Sequence, residues 1–434
     1  MRLSESPAPT DPTASTPPVG ETTLLKQTGL TYFPLAFISR LPFAMMVIGV
    51  LTLVVSARGS VELAGLGSAL VGIGAASIGP FIGAAADRFG QRPTLLLTAI
   101  VNSAALGALA WVAYSDLPNW VMLAVAFVTG ASGPQTSPMS RSRLVSIIQT
   151  KLPVERRPRT ISTVLAYESA ADEMVFVFGP VVVGLLATTL GAWAPVAGAA
   201  VLTLIFVVAF ALHHTSAPAR SAAERAATLA PASELARPTL LVVVVGIFTV
   251  GLVFGSTLTS LTAFMQNAGS AESAGLLYGV MGVGSAILAL CVAFFSPKFT
   301  LRHRWLAFAV FIVAGEALMS TADSVGTILV SLALTGIGIG PLLVTLYGFG
   351  AARSPIGRSA TVMTMLGSAL MLGQSLAAAI TGSVAENLGT DPAMTLPLFA
   401  AILVMLLGIA NWLLTPSGRR SAVPWEGASR ERTT

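Results

Sequence analysis

Three acids stand inside one apolar run, in Tyr167-Glu168-Ser169-Ala170-Ala171-Asp172-Glu173-Met174. Glu168 and Asp172 are four residues apart and share a helix face, whereas Glu173 is turned about 100° away. If a helix enters an apolar phase near Thr160, a rise of about 1.5 Å per residue puts Glu168 about 12 Å deep. The 172–173 pair then lies about 18–20 Å deep, close to the middle of a core about 30 Å thick. Each ionised carboxylate there costs about 2.5–3.5 kcal/mol, so the three acids must face water, be paired, or carry protons. Like charges at this spacing repel, and an acid so placed can take a proton on one side of a barrier and lose it on the other. Glu168, Asp172 and Glu173 are thus the proton-coupling candidates. The competing reading is a fixed network with Arg40, Arg141 or Arg143 that holds a gate; Arg40 lies about 13 Å into its own run, level with Glu168.

Other polar groups carry weaker signals. Span 359–385 holds Met363, Met365, Met371 and Gln374, a soft and adaptable surface suited to a cavity wall and equally ordinary as core. Gln135 precedes Arg141 and Arg143 and joins Arg40 and Gln374 as a cavity candidate. Glu316 stands alone in another run and reads as a buried, hydrogen-bonded acid. Gly179-Pro180 within a helix favours a kink and the close approach of a neighbour. His213-His214 read as an interfacial cap, and Cys291 is alone, so neither a disulfide nor a metal site is expected. With no nucleophile–base pair and no phosphate loop, an enzyme is not expected, nor is any cofactor.

The elements that position these residues are membrane helices. Hydrophobic residues make up 54% of the chain and charged residues 10%, against about 25% charged in soluble domains. Twelve apolar runs of about 20 residues or more are candidate spans: 31–56, 63–86, 93–115, 119–139, 160–189, 192–213, 238–263, 273–295, 304–322, 326–351, 359–385 and 393–414. Of 24 Lys and Arg, Arg58 falls in a loop on the odd side and Arg40 within a span. The other basic residues lie on the side of both termini, which the positive-inside rule makes cytoplasmic. A multi-pass protein of the plasma membrane follows, with lipid and a small molecule as partners. The basic excess is a topology signal and not a nucleic-acid surface. Residues 1–28 and 417–434 read as cytoplasmic tails, 29–213 and 238–416 as two six-helix bundles, and 214–237 as a cytoplasmic linker.

Between the second and third spans runs Gly83-Ala-Ala-Ala-Asp87-Arg88-Phe89-Gly90-Gln91-Arg92, a charged turn that forces a tight hairpin. Gly83, Asp87, Arg88, Gly90 and Arg92 resemble the loop 2–3 signature of the major facilitator superfamily, departing at Gln91, where that pattern prefers a basic residue. The halves also echo one another at an offset of 210 residues: Glu62 meets Glu272, Gly72 meets Gly282, Arg88 meets Lys298 and Arg92 meets Arg302. Thr129-Gly130 and Gly133-Pro134 reappear as Thr335-Gly336 and Gly340-Pro341. The resemblance implies an all-α membrane fold of twelve helices in two pseudo-symmetric bundles, working as a monomer by alternating access. It also implies that Asp87 sits against the start of helix 11 and that Arg88 and Arg92 help close the cytoplasmic side.

Gly179-Pro180 and Gly184 resemble a span-5 signature of drug:proton antiporters, with Val175 and Val183 as departures; the arginine usual in span 4 of those exporters is missing from 119–133. Pro134-Gln135-Thr136 through Arg143, followed by the acids of span 5, is similar to actinobacterial members. Proton-coupled export of a small organic molecule is the expected function, with import or facilitation of a sugar or other metabolite as the alternative.

Overall fold

The computed structural model describes residues 23–59, 61–216, 229–267, 274–296 and 298–415. The expected tails therefore lie almost wholly outside the described residues, as do the middle of the linker and Glu272 of the repeat. Among the described residues the chain is helical, with no strand.

A short helix, α1 (Leu24–Thr28), precedes the first pass, which is made of α2 (Tyr32–Ile38) and α3 (Leu41–Arg58). The second and third passes are α4 (Val61–Phe89) and α5 (Gln91–Ala113), the fourth α6 (Asn119–Ala131) with α7 (Thr136–Lys151). The fifth is α8 (Arg157–Leu190), and the sixth runs from α9 (Ala194–Leu202) through a π turn at 203–207 into α10 (Val208–Leu212). The second half comprises α11 (Pro238–Asn267), α12 (Ala274–Cys291), α13 (Leu301–Met319), α14 (Val325–Arg353), α15 (Ser359–Asn387) and α16 (Thr390–Leu414). Eight of these passes are long and apolar enough on their own to cross a membrane; with the broken and more polar ones, twelve passes follow in the expected order. Large apolar side chains such as Leu97, Trp111, Trp120 and Phe399 point outward, as lipid-facing residues must when every backbone group is satisfied within the helix.

Two features of the first half were not expected. The first pass is interrupted at Ser39-Arg40, and the fourth at Ser132–Gln135 around Gly133-Pro134. The fourth pass does not end near 139. It resumes as α7, which carries Arg141 and Arg143 into the bundle, where each is 2% exposed. The expectation that both belong to a cytoplasmic loop is corrected here, along with the apparent lack of a basic residue in that pass. Polar α7 is stable inside because its Ser and Arg side chains find partners there.

The repeat appears again as packing. A β-carbon on Gly130 would run into the backbone of Val71, and one on Gly336 into that of Met281; Val71 and Met281 are themselves 210 positions apart. The same crossing of passes 2 and 4 thus recurs between passes 8 and 10. The halves differ where the chemistry is: Pro134 follows a break, whereas Pro341 lies inside the unbroken α14.

The halves meet mainly along α4 and α15, with α8 against α12 and α7 against α15. Gly72, Gly79 and Gly83 of α4 face Ser375, Ser368 and Thr364 of α15, so the antiparallel helices touch along a seam of glycines and hydroxyls. Steps of seven and four residues keep this stripe on one face of α4.

Candidate functional site

The break in the first pass positions the site. Unwinding at Ser39-Arg40 leaves Arg40 between α7 and α8, 3% exposed. Its Nη2 lies 2.5 Å from Oε2 of Glu168, and its Nη1 lies 3.0 Å from Oδ1 of Asp172. Nη1 also donates to the main-chain oxygen of Glu168 at 3.3 Å. Arg141 approaches from α7, its Nη2 lying 2.6 Å from Oδ2 of Asp172. Two α7 hydroxyls complete the shell: Ser137 donates to Asp172 at 2.7 Å and Ser140 to Glu168 at 2.9 Å. Tyr32 of α2 exchanges a hydrogen bond with Ser140 at 2.9 Å.

Two carboxylates and two guanidiniums cancel in charge, and a guanidinium stands where direct repulsion between Glu168 and Asp172 was expected. The acids nevertheless differ. Glu168 is completely buried, while the Asp172 side chain is 21% exposed. The guanidinium of Arg141 also lies 3.6 Å from the ring centroid of Tyr347, on α14 of the other half. One arginine therefore touches an acid of the first half and an aromatic face of the second, a cation–π geometry.

These groups border a cavity between the halves, of about 90 Å³, walled by Arg40, Phe43, Asp172, Tyr347, Met371 and Gln374, among others. That is room for several waters but well below the roughly 300–1,000 Å³ of sites that hold a drug-sized ligand. Gln135 also lines it, donating to the main chain of Gly133 at 3.2 Å. Of the sequence candidates, Arg40, Gln135, Arg141, Asp172 and Gln374 thus converge on one cavity, with Glu168 directly behind. Arg143 does not join them. It bonds Gln91, the main chain of Phe210 and Thr215, and lies over the Phe210 ring. Glu173 and Pro180 have side chains outside the described residues. At Gly179, α8 continues without interruption and approaches Ala44 of α3 closely. Sequence reasoning missed Ser137, Ser140, Tyr32 and Tyr347, because hydroxyls on apolar helices are too common to stand out.

A second site lies at the end of α4. Asp87 accepts from the backbone N–H groups of Ala360 at 3.1 Å and Thr361 at 2.7 Å, and from the Thr361 hydroxyl at 2.7 Å. No side chain of α15's own N-cap residue, Arg358, caps that helix. Asp87 supplies the cap from the other half, where an anion also meets the positive end of the helix dipole. Gly83 lets α4 approach Ala360 and Thr364, and Gly90 alone links α4 to α5 with φ 95°, a conformation that suits glycine. Arg88 lies over the ring of Phe89, and Arg92 is exposed.

Two lesser expectations also have places. His213 ends α10, where its ring meets Tyr32 edge-on and lies tilted against His214; burial, then His214 and Arg143, hold its pKa below the usual histidine value. Glu316 is completely buried, its Oε1 accepting from Thr257 at 2.9 Å and Thr335 at 3.2 Å. Among the described residues, no group of acids, histidines and cysteines could hold a metal ion.

The family model for the Major Facilitator Superfamily matches residues 32–322. A search of curated proteins finds no match. Among solved structures, the human organic anion transporter MFSD10 (TETRAN) aligns with a TM-score of 0.68 at 18% identity, over 89% of this chain and 100% of its own. A bacterial homologue of the iron transporter ferroportin, in an outward-facing state, aligns with a TM-score of 0.66 at 12% identity, over 88% and 98%. The E. coli fucose:proton symporter FucP aligns with a TM-score of 0.61 at 13% identity, over 87% and 98%.

Proposed function

The chain belongs to the major facilitator superfamily, and on that premise we propose that it is a proton-coupled transporter of a small organic molecule in which Asp172 carries the proton. The observation that carries this reading is the unequal exposure of two neighbouring acids: Glu168 is sealed, and Asp172 reaches the cavity. Rocking of the halves would enlarge the cavity and expose it to alternate sides, with the Asp87 contact closing the end that carries both termini. That end is cytoplasmic by the distribution of basic residues, and the membrane is the plasma membrane.

Within proton coupling, two directions compete. Export in exchange for protons is favoured by the sequence, through the membrane acids and Gly179-Pro180. Movement together with protons is favoured by a specific observation: Asp172 is already held by two guanidiniums. A proton on it therefore uncovers positive charge instead of filling a vacant acidic site. The organic anion and fucose transporters among the structural neighbours are compatible with either substrate polarity.

The test is transport in liposomes containing the purified full chain, with compounds drawn from a screen of small organic molecules. Wild type is expected to concentrate a transported compound when a pH gradient is imposed. Asp172→Asn is expected only to equilibrate it. Undiminished gradient-driven accumulation in that variant would refute the assignment.

A further inference from the structure

The charge of the cavity identifies the kind of molecule it takes. Among the described residues, the groups facing Asp172 are Arg40 from the α2–α3 break, Arg141 from α7, and Glu168 and Tyr167 from its own helix. Tyr347 of α14 stands on the far side of Arg141. Helix α12 contributes no charged residue, and α15 none before Glu386 near its far end. Arg40 is committed to Glu168 by its shorter contact, at 2.5 Å against 3.0 Å to Asp172. Arg141 forms its ion pair with Asp172 and, among the described residues, meets Glu168 only at longer range.

The four charges sum to zero while Asp172 is ionised. Adding one proton to Asp172 leaves one net positive charge, centred on Arg141. A guanidinium without its counter-ion is unfavourable there, and an anion entering the cavity restores neutrality. A cationic molecule would have to displace Arg141 from its partner and share the cavity with it. The planar face of Tyr347, with Phe43 and Met371 in the same wall, suits an aromatic or otherwise flat apolar body beside the anionic group.

We propose that the cavity binds an organic anion, and binds it together with a proton, the anion taking the place at Arg141 that the Asp172 carboxylate gives up when protonated. This rests on the reading of Asp172 as the proton carrier. Each favours the binding of the other, so the loaded cluster is neutral and both leave in the same direction. Tyr347 then makes loading visible to the second half, because the guanidinium that holds the anion is the one stacked on that ring.

Three probes of the same size, each with one charge state over the working range, separate the possibilities: benzenesulfonate, benzenesulfonamide and phenyltrimethylammonium. Binding is measured calorimetrically on the purified full chain at about pH 5.5 and about pH 8, conditions between which none of the probes changes charge. Benzenesulfonate is expected to bind about tenfold more tightly at the lower pH. In Asp172→Asn it should bind tightly at both, and in Arg141→Gln at neither. Preference for the sulfonamide or the ammonium probe, or no sulfonate binding at either pH, overturns the anion assignment. If such a preference is accompanied by a pH dependence that Asp172→Asn removes, Asp172 still carries the proton and only the substrate class is wrong. If benzenesulfonate is preferred but its pH dependence survives Asp172→Asn, the anion class stands and the proton carrier is wrong.

Discussion

Glu168 engages both carboxylate oxygens inside the protein, one with Arg40 and one with Ser140, while Asp172 one turn further along reaches the cavity. Their substitutions should separate accordingly. Glu168→Gln leaves Arg40 with half its compensation in a buried place. It is expected to lower stability by about 3 kcal/mol, read as a fall in the thermal midpoint of the detergent-purified protein. Asp172→Asn keeps oxygen and shape at the partly exposed edge of the cavity, so its thermal midpoint should fall by less while gradient-driven transport fails. Glu316 calls for a different outcome. Both hydrogen bonds to its Oε1 come from hydroxyls, which an amide oxygen accepts equally well. Glu316→Gln should therefore match wild type in stability and transport, and Glu316→Leu should lose about 1–3 kcal/mol; lost transport in a stable Glu316→Gln would mark that acid as functional. The acids and Arg40 were legible in the sequence because charge in an apolar run is conspicuous and helical rise fixes depth. Tyr347 was not, since its position under Arg141 depends on how α14 is rotated, which hydropathy does not record.

At the scale of elements, the contact between α4 and the start of α15 joins the halves through one carboxylate and three donors. Asp87→Asn removes the charge that meets the helix end, and Thr361→Val removes one hydrogen bond. Each is expected to weaken closure of that end by about 1 kcal/mol, raising the labelling rate of a cysteine placed in the cavity by about fivefold. Tighter closure, or unchanged labelling in both, would contradict the role given to Asp87. The family-like spacing Gly83–Arg92 foretold this contact. The helical course of α7 was hidden, because Thr-Ser-Pro-Met-Ser-Arg-Ser-Arg has the composition of a loop and becomes helical only by the partners it meets. For the same reason the fourth pass could be counted correctly and still be ended a dozen residues too early.

For the whole molecule, alternating access requires α4 and α15 to separate or slide along their seam. A β-carbon on Gly72 would lie 3.7 Å from that of Ser375, within the usual 3.5–4.5 Å of a disulfide. In a Cys291→Ser background, Gly72→Cys with Ser375→Cys should cross-link on oxidation, abolish transport and recover with reductant. Full transport by the oxidised pair would mean that this seam does not open. The number and order of passes were readable from length and polarity, and the internal repeat from its spaced glycines and charges. The register of one half against the other was not, since it is set by small residues that any membrane helix contains. The cap that Asp87 lends to α15 also gives the protein a built-in gauge of its own conformation. When the halves part at that end, the N–H groups of Ala360 and Thr361 lose their acceptors and face water. Deuterium uptake at the first turn of α15 should therefore rise and fall with the fraction of molecules open at that end, without any label attached.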